Sequence, residues 1–259
     1  YPGIKTLFDK GIKTAEGAAL MTDTKFTYEI MGSAWPAHFN KPMAEAAYAN
    51  IRKVGLPVWT EADQTLAKAT QIEMKSNRTN GLATKLDTIG LPAPVGSVNV
   101  MGRQLMAMGG GSDDIADISW SLPTITLGYP SNIPGLPGHH WSDAIAMATP
   151  IAHKGIVYGA KAEVMTILDL LLKPELIKNA WEYYRTEQTK DQQYIPLISD
   201  KDRPAIQLNE RIMKDYAPKL KPLYYNPARY KTYLEQLGIQ YPTIRPDQKE
   251  ALEKLNKSK

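Results

Sequence analysis

The stretch from Thr149 to Leu172 does most to restrict what this chain can fold into. Thr149 is a good helix cap and Pro150 a favoured first-turn residue, and His153, Val157, Ala160, Val164, Ile167 and Leu171 then recur at helical spacing along one face. Gly155, Gly159 and Ala162 form a second face, small enough for another backbone to pack closely against it. Ahead of this helix, Pro123 to Gly128 reads as a short buried strand, and Tyr129 to His140 as a loop dense in Gly and Pro. Strand, loop and helix in that order predict an α/β layer whose loop lies at a strand's carboxyl end, where such folds bind ligands.

The rest of the chain is punctuated by local signals. Residues 4–20 read as a helix, and Thr24 to Met31 alternate as a half-buried strand would. Asn40 and Pro42 start a helix that stops at Gly55, and Thr60-Glu61-Ala62-Asp63 reads as a capping box for a helix to about Met74. Residues 76–98 read as an irregular loop, followed by a strand near Val98 to Met101. In the tail, Asn226-Pro227 is expected to start a helix ending at Gly238, and Arg245-Pro246-Asp247 another through Leu255.

Composition removes several classes. At 259 residues and 43% hydrophobic the chain can bury a real core, and no run approaches the ~18 apolar residues of a membrane span. The absence of cysteine excludes disulfides and thiolate ligands and suits cytoplasm and periplasm alike, so compartment stays open. From Lys190 onward there are 14 Lys/Arg against 9 Asp/Glu, so the net charge of +4 belongs to the tail. Lys and Glu alternate there on short helices, which reads as a solvated face in preference to a nucleic-acid surface. The chain begins at Tyr1 with no leader pattern and is expected to be a fragment, a processed chain or a separate subunit.

Three of the four histidines cluster. His139 and His140 lie between Gly138 and Trp141, and His153 follows in Ile151-Ala152-His153-Lys154-Gly155. Imidazole is the commonest protein ligand for zinc, and adjacent side chains diverge, so one of the pair can ligate while the other faces elsewhere. His153 on an apolar face reads first as a core histidine, and Trp141 as a packing residue that fixes the loop. Gly109-Gly110-Gly111-Ser112-Asp113-Asp114 fits neither a phosphate loop nor a dinucleotide fingerprint. It is either a site-lining turn with hydroxyl and carboxylate chemistry or a plain turn in which Asp113 or Asp114 caps a helix.

In combination, Gly109 to Asp113, the run from Asp114 through Asp117, Ser119, Trp120 and Pro123 to Thr124, Gly135-x-Pro137-x-His139-x-Trp141, Ile151 to Gly155, and Ala15 to Thr24 resemble one family. It is the zinc amidohydrolases that include carboxypeptidase G and the aminoacylases, in their p-aminobenzoyl-glutamate hydrolase branch. The resemblance runs from about residue 5 to 185 and implies the carboxyl-terminal half of a di-metal aminopeptidase-like α/β catalytic domain. On that map 1–34 end an α+β lid and dimerisation domain, 35–185 form the second half of the catalytic domain, and 186–259 are a helical basic tail.

The implied activity is cleavage of an amide bond to an amino acid, in an acyl- or aroyl-amino acid such as an aminobenzoyl-glutamate, by metal-activated water. The implied cofactors are two divalent ions, zinc, with manganese or cobalt as alternatives. His139 is the implied metal ligand, with Ser112, Asp113, Asp114, His140 and His153 lining the pocket or bracing it. No catalytic residue is expected in this chain, because the general base falls in the family's amino-terminal half. The implied partners are that half or a complementary chain, a small acyl-amino acid or peptide substrate, and a second copy in a homodimer, with neither nucleic acid nor membrane. Two other readings stay open: a non-catalytic partner subunit, and a binding module.

Overall fold

The computed structural model of the protein describes residues 2–86 and 113–257. Among them the α-helices are α1 (Pro2–Met21), α2 (Lys41–Val54), α3 (Glu61–Glu73), α4 (Asp114–Ser119), α5 (Pro150–Leu172), α6 (Pro174–Tyr183), α7 (Gln207–Leu220), α8 (Tyr233–Gln236) and α9 (Pro246–Lys257). Short 3-10 turns cover Trp141–Ala144 and Ala146–Ala148, and a π-helical turn covers Tyr184–Gln188. No strand occurs among the described residues. The stretches expected as strands at 24–31 and 123–128 carry no β-ladder, and Val98 to Met101 lies outside the described residues. A strand is completed only by a neighbour that takes its N–H and C=O groups, so alternation alone does not make one.

Two compact units divide the chain. The first is drawn from the described residues of Tyr1–Lys41, Pro92–Ile125 and Lys178–Pro218, the second from those of Pro42–Leu91, Thr126–Ile177 and Lys219–Lys259. In the first, Trp35 and Trp120 meet edge to face at 4.9 Å between ring centroids, and Tyr194 closes on Trp35 at 5.4 Å. Each ring's polar atom is satisfied within the unit. The Trp35 indole donates to the Ile195 carbonyl at 3.0 Å, the Trp120 indole to the Pro36 carbonyl at 2.8 Å, and the Tyr194 hydroxyl to Asp117 at 2.7 Å. Burial, followed by the hydrogen bond and charge of Asp117, pushes the Tyr194 phenol up to about 12.

The second unit is organised around the small face of α5. Ile151, Ala152, Gly155, Gly159, Ala162 and Thr166 of that helix are buried. A side chain at Gly155 would collide with the Pro130 carbonyl and with Ser131, and one at Gly159 would press on the Tyr129 ring at 3.2 Å. The glycines therefore let the 129–131 backbone lie directly on the helix. Ile151 then joins Ala67, Leu82, Ile133 and Ala146 in the buried apolar cluster, flanked by Trp59, Leu66 and Leu136. The Thr149 hydroxyl accepts from the Ile151 N–H, so the start of α5 agrees with its cap signal.

Buried polar groups tie three further elements to this core. Asn50 of α2 donates to Thr166 at 3.3 Å and to Asp169 at 2.8 Å on α5. Thr60 and Asp63 close the capping box of α3, and Gly55 ends α2 with φ 73°, both as expected. Asp63 is fully buried and also receives the Lys154 ammonium at 2.6 Å and the Tyr241 hydroxyl at 2.7 Å. Burial alone would raise its pKa, but Lys154, the Thr60 N–H, Tyr241 and the Thr60 hydroxyl together hold it below the ordinary carboxylate range. The tail thus packs on α3, and Arg245 adds a 2.6 Å contact to Glu73.

The helix expected over 226–238 forms only at its end. Asn226 instead accepts from the Ala228 N–H in a turn, and Thr232 caps the four-residue α8. Two measurements test this unit. Gly155→Val is expected to cost about 3 kcal/mol through forced separation of α5 from 130–131, and Gly159→Ala far less, read as urea midpoints. Asp63→Ala is expected to cost about 3 kcal/mol by stranding Lys154. Because the Asp63 pKa is depressed, its contribution is full above the unfolded value of 3.8 and declines as pH falls below it, so the wild-type and Asp63→Ala melting temperatures should converge in acid.

Candidate functional site

The histidine loop is pinned before its imidazoles are placed. Gln71 of α3 donates to the Pro134 carbonyl at 2.9 Å, Ser76 to the Gly135 carbonyl at 2.8 Å, and the Asn132 amide to the Asp143 carbonyl at 3.1 Å. Ile133 drops into the core between these anchors. The chain then turns at His139, whose φ of 55° lies in the left-handed region, a conformation costing about 1 kcal/mol for a residue with a Cβ. His140 is extended at φ −124° and ψ 151° and caps the 3-10 turn Trp141–Ala144.

The two rings consequently have different employment. His140 Nδ1 lies 2.9 Å from the Ser142 hydroxyl and accepts from the Ser142 N–H at 3.3 Å. An accepting Nδ1 places the proton of the neutral ring on Nε2, which removes the lone pair an ion would need there. The His139 ring is exposed and has no hydrogen-bond partner among the described residues. Both line an open depression of about 790 Å³ with Asn132, Gly138, Trp141, Asp143, Ala144 and Met147. Trp141, expected as a packing residue, is 65% exposed and meets the His140 ring at 5.1 Å between centroids, tilted by 42°, because Ile133 and the polar anchors already fix the loop.

The other expected site residues are placed as follows. His153 stands exposed in the first turns of α5, not in the core. Asp113 caps α4 by accepting from the Ala116 N–H at 3.3 Å, as one of the two alternatives has it, and Asp114 is an exposed first-turn acid beside it. These acids belong to the first unit and the three histidines to the second. Ser112 and Gly109 to Gly111 lie outside the described residues. Among the described residues no group of three or more His, Cys, Asp or Glu could hold a metal ion. The described residues supply at most an imidazole or two and do not by themselves fit a metal pair.

The histidine that the motifs passed over has the most confined ring. In the first unit the Asn40 amide donates to the Ala180 carbonyl and to Gln188 Oε1, each at 2.8 Å. That orients the Gln188 amide nitrogen onto His38 Nδ1 at 2.6 Å, fixes the neutral ring as the Nε2–H form, and leaves Nε2 buried without a partner among the described residues. The His38 ring also meets Trp120 at 4.2 Å. The π-helical turn brings Gln188 into place and sends the Tyr184 hydroxyl to the Trp120 carbonyl at 2.5 Å. The only sequence signal was Trp35-Pro36-Ala37-His38-Phe39-Asn40, a dense cluster with no motif behind it.

Burial lowers the His38 pKa from 6.5. The unfolded chain therefore binds the extra proton first, and the stability that neutral His38 contributes is lost as pH falls below 6.5. Tryptophan fluorescence during urea unfolding should show a midpoint that declines from pH 7.5 to 5.5, and His38→Phe should flatten that decline.

Comparison with known proteins gives one informative relationship. The chain is 28% identical over 193 residues to a subunit of p-aminobenzoyl-glutamate hydrolase from Escherichia coli strain K12, a match covering 70% of this chain. It spans 40% of that relative's length. No family model matches the chain, and no solved structure matches it. The chain is thus related to a hydrolase subunit.

Proposed function

We propose that this chain is the imidazole-bearing part of an amidohydrolase that releases an amino acid from an acyl- or aroyl-amino acid, with aminobenzoyl-glutamate as the type of substrate. The observation that carries the reading is the division of labour at 139 and 140, on a chain related to a hydrolase subunit. One ring is used up as a cap and the other is held out, free, on a loop anchored at three points. A ring so placed is suited to join ligands from polypeptide outside the described residues around a divalent ion, zinc with manganese or cobalt as alternatives. His140, in this reading, orients the turn through Ser142, and Asn132 braces it.

The α/β layer, the lid and the homodimer belong to the same proposal: the stretches 24–31 and 123–128 would become strands once neighbouring strands are supplied. Amide hydrolysis is then a property of the completed subunit. A non-catalytic subunit differs in one respect, since it binds the same complement without turnover.

Glutamate release from p-aminobenzoyl-glutamate tests the reading. The chain alone should be inactive and should take up Zn2+ weakly by calorimetry. Combined with a polypeptide carrying the portion of the E. coli subunit that the match leaves out, it should turn over. His139→Ala should lower that rate by about 100-fold or more and His140→Ala by about 10-fold. Equal losses at both positions, or none at 139, would remove His139 from its role.

A further inference from the structure

Helix α5 has one face of mostly small residues and one of larger apolar residues, and among the described residues only the first is covered. The buried face is made of Ile151, Ala152, Gly155, Gly159, Ala162 and Thr166. On the opposite side Ile156, Val157, Ala160, Val164, Ile167, Leu168 and Leu171 fall within about one third of the helix circumference at 3.6 residues per turn. All of them are exposed, up to 70% at Leu171. The stripe runs about 22 Å at 1.5 Å per residue. A helix that is apolar on both sides is an interior helix, not a surface one.

We infer that this outer face of α5 is the docking surface for the polypeptide that completes the subunit, namely an apolar face of the portion of the hydrolase that this chain does not span. The inference rests on the proposed function for the identity of the occupant. Two observations select that occupant. The chain accounts for 40% of its relative's length, so most of that subunit has no counterpart here, and a core divided between two stretches of polypeptide leaves one helix covered on one side. The surface also belongs to the helix that positions the candidate site: α5 carries residues 129–131, which lead into the histidine loop, on its small face and exposed His153 on the centre line of the apolar one.

The stripe has the form of a specific interface. Lys161 borders one edge and exposed Glu163 the other, so charge is confined to the rim. Beside the stripe, Val54 at the end of α2 joins Val157, Tyr158, Ala160, Lys161, Val164 and Met165 around a groove of about 620 Å³. Such a groove accepts a side chain or two from the partner. No described helix is long and apolar enough to cross a membrane, so α5 is not a span in search of a bilayer.

The test uses the whole 259-residue chain and the same complementary E. coli polypeptide. Alone, the chain should bind an apolar dye, and Leu168→Glu combined with Leu171→Glu should abolish that binding without loss of helix content. Light scattering should show a one-to-one complex with the complement, with α5 amides protected from exchange. The charged pair should weaken the complex by about 100-fold or more, and Leu208→Glu on α7 of the tail, at an exposed apolar residue outside the lid and the catalytic half, should leave it unchanged. Four results would overturn the inference: no complex; a complex indifferent to the charged pair; a homodimer of this chain that buries the stripe; or binding to phosphatidylcholine–phosphatidylglycerol vesicles that the charged pair removes. A complex through α5 that releases no glutamate keeps the docking surface and ends the hydrolase reading. Turnover untouched by the charged pair does the reverse.

Discussion

The close approach of residues 130 and 131 to Gly155 governs the second unit. Any side chain at 155 would stand where the Pro130 carbonyl and Ser131 stand, so the loop can lie on α5 only because that position is glycine. Once it lies there, Ile133 reaches the cluster with Ala67, Leu82, Ala146 and Ile151, and the polar anchors from Gln71, Ser76 and Asn132 come within bonding distance. The turn at His139 is the next consequence, and with it the separation of two adjacent imidazoles into a cap and a free ring. The same contact orients α5: a small-residue face turned inward leaves the branched residues outward.

The first unit achieves order by a different route. Its centre is aromatic, and each indole or phenol finds a partner inside the unit, so burying the rings strands none of their polar atoms. The exception is His38. Its Nδ1 is claimed by Gln188, whose orientation is set by Asn40, and the remaining N–H is buried without a partner among the described residues. An unsatisfied buried donor costs about 1–3 kcal/mol, and lowering the ring's pKa avoids the larger cost of a buried cation. The π-helical turn is what makes this arrangement possible, because its extra residue moves Gln188 toward the ring.

What the sequence disclosed was what is decided locally. Thr60 with Asp63, Thr149 with Pro150, and Gly55 each act within four residues, and each helix boundary they mark was legible. The capping role of Asp113 was one of two open alternatives for the same reason. Segments whose state depends on distant partners were not legible: 24–31 alternates as a strand should, yet no ladder neighbour stands beside it among the described residues. His38 was passed over because its environment comes from residues far away in sequence: the Ser119 hydroxyl, which accepts from the His38 N–H at 3.2 Å, the Trp120 ring, and Gln188, which neighbouring Asn40 orients. The apolar spacing of α5 was visible, but spacing identifies a face without saying what covers it, and the buried face proved to be the one made of small residues.

The basic tail is tied to α3 by charge and by hydrogen bonds. Arg245 lies against Glu73 and Asp247, and Gln248 also reaches Glu73. Tyr241 supplies one of the hydrogen bonds that a fully buried Asp63 requires, and Leu252 is buried on α9. Without the tail, Asp63 would keep Lys154 and Thr60 but lose the Tyr241 donor and its cover from water. Lys154 is the residue between His153 and Gly155, so the ion pair that the tail shields also holds the first turns of α5 to the capping box of α3. The tail is therefore part of what fixes α5, and through α5 it acts on the histidine loop and on the apolar stripe together.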